Sequence, residues 1–308
     1  MTGTAGQIMR RAQPWLGTLV GVGIVLDDAA GTTGPIDADA GGRAIDATFA
    51  AIAQVHRLMS FHEAGSDVSA INRLQPGQSV TVDAHTVNVL RCAQLFETLS
   101  DGIFNIACGM QLVAWGQLPP PADLLAAPAA ASASATPGTA SVAVLQPPTR
   151  NALAIDVGLR VTRRKPGLID LGGIAKGYAV DLAVAALQGA GVAAGCVNAG
   201  GDLRVFGAAD FPVQIRDPGM PTQAGCLLHL RNQALATSAG YFSSRLHEGR
   251  STGALLDARD GQPVAAGHSA SVLAPSCMHA DALTKVVIAT ADPAHPLLTR
   301  FGATAFLI

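Results

Sequence analysis

Residues 169–181 read IDLGGIAKGYAVD: an apolar approach, two glycines, a lysine, and an apolar pattern that resumes at helical spacing. The chain here must pass from an extended segment through a tight turn into a helix. Leu168 and Ile169 enter as a strand. Gly172 and Gly173 allow backbone angles that a Cβ disfavours and let a ligand approach the main chain. From Ile174 onward Tyr178, Leu182 and Ala185 share one helix face, widened by Ala175 and Ala179. The start of such a helix has unpaired N–H groups and the positive end of a dipole, which suits an anion. Lys176 in the first turn works against that dipole unless its ammonium points at a bound anion. The spacing is neither G-x-x-x-x-G-K-[ST] nor GxGxxG. Two readings therefore stand together, an anion-binding turn and close strand–helix packing. Asp170, beside the turn, serves either a ligand N–H or the helix as a cap.

The rest of the chain supports a folded frame around this turn. Of the 308 residues, 49% are hydrophobic and 14% charged, enough to bury a large core in one big domain or two lobes. A net charge of -2 and the lack of a basic stripe exclude a nucleic-acid surface. The five cysteines, Cys92, Cys108, Cys196, Cys226 and Cys277, form no CxxC pair and read as free thiols of a reducing compartment. Arg10-Arg11 and the following WLGTLVGVGIVL have the outline of a short signal peptide. The apolar part alternates with Gly17, Gly21 and Gly23, and neither a small-residue cleavage site nor a lipid-anchor cysteine follows. It reads as the first strand, and the chain as cytoplasmic, with a periplasmic location as the alternative. No stretch has the length of a membrane span.

Residues 28–42 read as a loop, 43–58 and 84–100 as amphipathic helices, and 79–82 as a short strand. Between them a short helix follows an N-cap at Ser66 or Asp67. DGIFNIACG is a turn and an irregular segment. Residues 118–149 are rich in Pro, Ala and Ser and read as an exposed low-complexity insertion with one short strand at 141–145. Beyond it the pattern predicts strands at 152–156, 159–162, 167–170, 196–199, 202–206, 212–216, 226–230, 234–238, 270–274 and 303–308, with helices at 174–188 and 278–288. No regular βαβ period emerges. The expected class is α+β, with mixed sheets and packed helices in a single two-lobed domain over residues 1–308.

Other segments offer polar groups. In CVNAGGDLRVFG, Gly200-Gly201 between two strands is a hairpin signature and reads first as a plain turn. LATSAGYFSS places Thr237, Ser238 and Tyr241 at a strand end. CMHADALTKVV puts Asp281, Thr284 and Lys285 on one side of a helix. A carboxylate beside a hydroxyl suits Mg²⁺; the simpler reading is an Asp–Lys pair on an exposed face. The eight histidines show no metal-ligand spacing.

In this order, GTLVGVGI, MSFHEAGSDVSAIN, DGIFNIACG, IDLGGIAKGYAVD, VNAGGDLRVFG, ATSAGYFSS, LLDARDG and ADALTK resemble the motifs of the ApbE family of FAD:protein FMN transferases over roughly residues 16–290. The resemblance implies FAD bound with Mg²⁺ in a cleft between two lobes. It implies transfer of FMN, with AMP leaving, to a threonine or serine of a target flavoprotein. By position, Asp170 and Lys176 contact FAD, Gly173 offers its carbonyl to Mg²⁺, and Asp281 is the metal's carboxylate, with Thr284 completing the set. Lys176 and Asp281 are thus the catalytic pair. His62 stands where the family has an aromatic that stacks on flavin. Phe104 and Asn105 lie on the segment lining the FAD pocket, and Thr237 and Leu255 are adjacent contacts. The chain departs from the family at Leu16, Asn105, Ala107 and Ala254, the last where a histidine is expected. It departs again at Lys285, which holds the position of the metal-ligand threonine while Thr284 comes one residue earlier. Loss of the histidine opens a second reading, an FAD-binding or FAD-hydrolysing relative without protein modification. A third is a scaffold without activity. Neither the acceptor protein nor the oligomeric state is legible.

Overall fold

The computed structural model describes residues 7–26, 36–121, 146–216, 224–240, 245–247, 250–264 and 268–308. The N-terminal segment is a hairpin, not one strand. β1 (Ile8–Trp15) and β2 (Thr18–Val25) pair antiparallel from Ile8↔Val25 to Trp15↔Thr18. The two-residue loop between them, Leu16-Gly17, has φ of 56° and 72°, the double positive φ of a hairpin turn that follows strand twist. A leucine in that conformation is what hides the turn inside an apolar run.

α1 (Ala38–Met59) starts earlier than its periodicity predicts. Asp37 caps it, its carboxylate accepting from Ala40 N at 2.7 Å. Gly41, read from sequence as loop, is a packing position: a Cβ there would lie 3.0 Å from Ile24 Cδ1 and 3.1 Å from Leu26 Cδ2. α2 (Asp67–Asn72) is capped by Ser66 and α3 (Ala84–Leu99) by Asp83. Between them lies β3 (Ser79–Thr81). α4 (Gly109–Ala114) grows from the end of the irregular segment and has no sequence signal of its own. β4 (Leu153–Ile155) and β5 (Arg160–Arg163) join β3 in a three-stranded antiparallel sheet, order β3-β5-β4. Of the insertion, residues 122–145 lie outside the described residues, and the strand expected at 141–145 with them; Tyr241 also lies outside.

The stretch 167–170 is not a strand. Its backbone partners come from elsewhere: Gly109 N donates to Leu168 O at 2.9 Å and Asp170 N to Ile106 O at 2.8 Å. The Asn72 amide clamps Ile169 on both sides, accepting from its N–H at 2.7 Å and donating to its carbonyl at 2.9 Å. A loop and a side chain do here what a neighbouring strand would otherwise do.

α5 (Ala175–Gly189) follows, then β6 (Gly195–Ala199) and β7 (Asp202–Phe206), joined through Gly200-Gly201 as a hairpin. β8 (Phe211–Arg216) and β9 (Ala224–Leu230) make a separate hairpin. β10 (Ala234–Ala239) is followed by two short ladders, β11 (Arg245–His247) with β12 (Arg250–Thr252) and β13 (Leu256–Asp257) with β14 (Gln262–Pro263). β15 (Ser269–Ala274), α6 (Cys277–Thr290), α7 (Leu297–Arg300) and β16 (Thr304–Leu307) complete the described chain. The principal sheet runs β1-β2-β6-β7-β10-β15-β16, every pair antiparallel.

Alternation along the strands sorts their side chains between the two faces of the sheet. Val20, Val22 and Ile24 of β2 and Val197 of β6 pack with Ile45, Phe49 and Ile52 of α1 and Val180, Val184 and Leu187 of α5. On the other face, Leu203, Val205 and Leu235 meet Phe211, Ile215 and Leu230 of the β8–β9 hairpin. A third cluster joins α2, α3 and α6 to the inner faces of β10 and β15. The architecture is α+β, as the sequence predicts.

α5 and α6 touch at Gly177. A Cβ there would fall against Cys277 O, 2.7 Å from Cys277 C and 2.8 Å from Met278 Cα, all main chain that cannot rotate away. Gly177→Ala should therefore lower stability by about 1–3 kcal/mol through overpacking. Urea denaturation reads this directly, and an unshifted midpoint would mean that the two helices are free to separate.

Candidate functional site

A cavity of about 1060 Å³ opens where the β1–β2 turn, the end of α1, the loop before α4, the start of α5 and the end of β10 converge. That volume is at the upper limit of small-molecule and cofactor sites, about 1,000 Å³. His62, Phe104, Asn105, Asp170, Gly173, Lys176, Thr237 and Leu255 all line it, so these sequence candidates meet in space. Asp281 and Thr284 do not line it; they lie behind its wall, each with no exposed surface.

The floor is the IDLGGIAKGYAVD turn. Asp170 does not cap α5. Its Oδ2 accepts from Gly172 N at 3.0 Å, closing the turn ahead of the helix. The position that would carry the cap is Ile174, which makes no side-chain bond. α5 therefore presents the positive end of its dipole to the cavity without a side-chain carboxylate of its own at the cap. Burial raises the Asp170 carboxyl above its ordinary value, against the pull of the Gly172 amide and of the His62 and Lys285 charges. Asn105 is half of another local device, its Oδ1 accepting from Ala107 N at 2.8 Å and so fixing the loop that pairs with Leu168 and Asp170. Thr237 Oγ1 lies 2.8 Å from Ser271 Oγ on the neighbouring strand. Phe104 packs against Phe96 with ring centroids 5.8 Å apart.

The lysines organise the electrostatics. Lys176 Nζ donates to Asp202 Oδ2 and lies 3.9 Å from Asp281 Oδ2. Lys285 Nζ donates to Asp281 Oδ1, and Gly177 N to Asp281 Oδ2 at 3.1 Å. Burial alone would raise the Asp281 carboxyl, but the ammoniums of Lys176 and Lys285 outweigh it and hold the group below the usual carboxylate range. Burial and the Asp281 charge push Asp202 the other way. Burial would lower the Lys176 ammonium, yet Asp202 and Asp281 keep it charged well above its ordinary range. Asp202 had no role in the sequence reading. Its one signal is its place directly after Gly200-Gly201, at the first position of β7. Asn72, which positions Ile169 and so Asp170, carries no signal at all.

The donors around Asp281 do not fit a divalent ion as they are placed. Both carboxylate oxygens are engaged by ammonium or amide protons. Thr284 Oγ1 donates to Asp281 O at 2.6 Å, turned back on its own helix, and lies 2.7 Å from Ser238 Oγ. Gly173, whose carbonyl the resemblance assigns to the metal, has the Lys285 stem beside it: a Cβ on Gly173 would lie 3.2 Å from Lys285 Cε. Among the described residues no cluster of His, Cys, Asp and Glu has the composition of a metal site.

The sequence profile of the ApbE family matches residues 16–307. The chain belongs to the ApbE family. It is 28% identical over 262 residues to the FAD:protein FMN transferase of Rhodobacter capsulatus, a match that covers 82% of this chain and 48% of that protein. It is 26% identical to the FAD:protein FMN transferase of Klebsiella pneumoniae, covering 70% of this chain and 65% of that one. The chain thus spans about half to two thirds of the length of these relatives. The crystal structure of the ApbE protein of Thermotoga maritima superposes with a TM-score of 0.78 at 24% identity, over 98% of this chain and 94% of that one, and so shares its fold. No helix among the described residues is long and apolar enough to cross a membrane.

The buried cluster gives a stability prediction with a defined sign. Asp281 has a depressed folded value, so its contribution is present above the ordinary carboxyl range, near 4, and fades as pH falls through the folded value. Asp281→Asn should cost about 3–5 kcal/mol at neutral pH, because it leaves buried ammoniums short of a partner. The gap to the wild type should narrow under acid. Urea midpoints of both proteins across pH test this, and a gap constant with pH would remove the charge argument.

Proposed function

We propose that this ApbE-family chain is an enzyme that binds FAD in the cavity and transfers its FMN portion to a threonine or serine hydroxyl of a target flavoprotein. The bond formed joins the acceptor oxygen to the FMN phosphorus. The bond broken is the pyrophosphate P–O bond, AMP leaves with the bridging oxygen, and the hydroxyl proton is lost to the surroundings. The observation that carries this reading is the convergence of Asp170, Lys176 and the start of α5 on one cavity with Phe104, Thr237 and Leu255. The names of the related proteins support it.

The residues suit that chemistry in separate ways. Lys176 and the α5 N-terminus offer positive potential where charge grows on pyrophosphate oxygens, the dominant need in phosphoryl-type transfer. Asp170, raised by burial, is a hydrogen-bonding partner for a flavin or adenine edge. Phe104, Leu255 and His62 supply the wall for a planar ring. Mg²⁺ is not assigned a step here, since the groups around Asp281 do not fit it.

A second reading is favoured by Ala254, which lines the cavity where the family resemblance places a histidine. Without a base for the acceptor hydroxyl, the same site would bind FAD or pass its phosphorus to water. Incubation with FAD and a candidate acceptor flavoprotein separates the outcomes by mass and by nucleotide analysis. Transfer gives AMP and an acceptor heavier by one FMN residue; hydrolysis gives AMP and free FMN; binding alone gives neither. AMP release without acceptor labelling would retire the transferase reading.

Lys176→Met should weaken FAD binding by about tenfold or more, the loss of one charge-assisted bond to phosphate. Lys176→Arg should retain most of it. Flavin fluorescence titration measures both, with a thermal melt to show that the variants fold. Equal affinity of Lys176→Met and wild type would sink the assigned role.

A further inference from the structure

The sequence contains three lysines, Lys165, Lys176 and Lys285, against a Lys plus Arg total of 20. This chain builds its cationic surface from arginine, yet two of its three lysines reach the same cavity. Behind them stand Asp202 and Asp281, 2% and 0% exposed, neither of which lines the cavity. The wall therefore shows two ammonium groups to the interior space with Asp202 and Asp281 underneath, and Asp170 is the carboxylate that shares the cavity with them.

Lys285 is placed with unusual specificity for a helix-surface lysine. An exposed i,i+4 pair with an aspartate is loosely held and weak. Here Asp281 is fully buried and already accepts from Gly177 N, and Lys285 is only 17% exposed on its side chain. The Lys285 stem passes over Gly173, where a Cβ would come within 3.2 Å of Cε and 3.7 Å of Cγ. A Cβ at that point of the turn would crowd the stem. The Lys285 charge also reaches Asp170 on the cavity side. An ammonium has three donors, and among the described residues Lys285 makes one hydrogen bond, to Asp281 Oδ1. Donors remain for an incoming oxyanion.

We infer that the Lys285 ammonium, held by Asp281 beside Gly173, is the built-in cation of this cavity, and that the chain binds a pyrophosphate group there without a divalent ion. A mobile ion at this place would have to displace an ammonium from Asp281 and sit among two lysines. A fixed ammonium needs no such exchange and is present at every metal concentration. The inference rests on the FAD reading for the identity of the natural ligand, though not for the charge of the group bound.

Metal-stripped full-length protein is titrated by calorimetry with inorganic pyrophosphate and, separately, with FAD, each in EDTA and in excess Mg²⁺. The expected result is that both bind in EDTA, with affinities within about twofold of those in Mg²⁺. Lys285→Met should weaken both by about tenfold or more, and Lys285→Arg should recover most of the loss. Thermal melts of both variants confirm folding; if Lys285→Met does not fold, Lys285→Gln takes its place. Binding that appears only with Mg²⁺, or unchanged binding in a folded Lys285→Met, overturns the inference while leaving FAD as the ligand. Pyrophosphate bound in EDTA without any binding of FAD upholds the inference and removes the flavin reading. Failure of both ligands to bind in EDTA overturns it outright.

Discussion

A carboxylate with no exposed surface ties together the parts of this molecule that make the cavity. Asp281 belongs to α6, the amide it accepts from belongs to α5, and the ammoniums beside it come from α5 and from its own helix. Asp202 at the start of β7 then fastens Lys176 to the principal sheet. Taking such charges out of water is costly, and mutual attraction recovers that cost only when every partner is in place. The cluster sets two carboxyl groups against two ammoniums, and of these four only the lysines line the cavity. Its geometry is permitted by glycine: Gly177 lets α6 approach α5 closely enough for an amide to reach a side chain across the gap.

The two readings of IDLGGIAKGYAVD fall on different residues of the turn. Gly172 and Gly173 line the cavity, whereas Gly177 faces the main chain of Cys277 and is a packing residue. Gly200 does a related service from the next hairpin. It has φ of 66°, and a Cβ on it would lie 3.0 Å from Thr18 Cβ, so the β6–β7 and β1–β2 turns stand side by side at the cavity mouth. A turn that reads as plain in sequence is also part of the wall, because the path that makes it tight brings its backbone to the ligand side.

The long helices and most strands were legible because one face of each is apolar and period fixes orientation. The failures share a cause: a residue doing something its type does not announce. Leu16 adopts a left-handed turn conformation that glycine usually holds, so a hairpin looked like one strand. Gly41 and Gly42 read as loop yet sit inside α1, the first against Ile24 and Leu26. Ile169 has its ladder partner in the side chain of Asn72, 97 residues away in sequence. At the candidate site, positions tied to a local motif converged, while those whose role depends on a rotamer did not follow. The Asp281–Lys285 pair that the helical spacing offers does form, but buried instead of on an exposed face, and Thr284 turns to Asp281 O and Ser238. Burial of that pair depends on partners far apart in the chain, Gly177 and Ser238, which no single segment encodes.

A lysine and a divalent ion are not interchangeable at a pyrophosphate. An ammonium offers one charge and three directed protons, without the strong polarisation through which a bound ion activates an oxygen. On the proposed reading, a site with Lys285 on Asp281 and alanine at position 254 holds an anion without two of the means of driving a hydroxyl toward phosphorus. Under that reading the remaining drive comes from placement, with the α5 N-terminus and the two lysines facing the oxygens. Orientation of two bound partners is itself worth a large share of a reaction barrier. Under the proposed transfer, rate therefore depends on how the acceptor hydroxyl is oriented in the cavity.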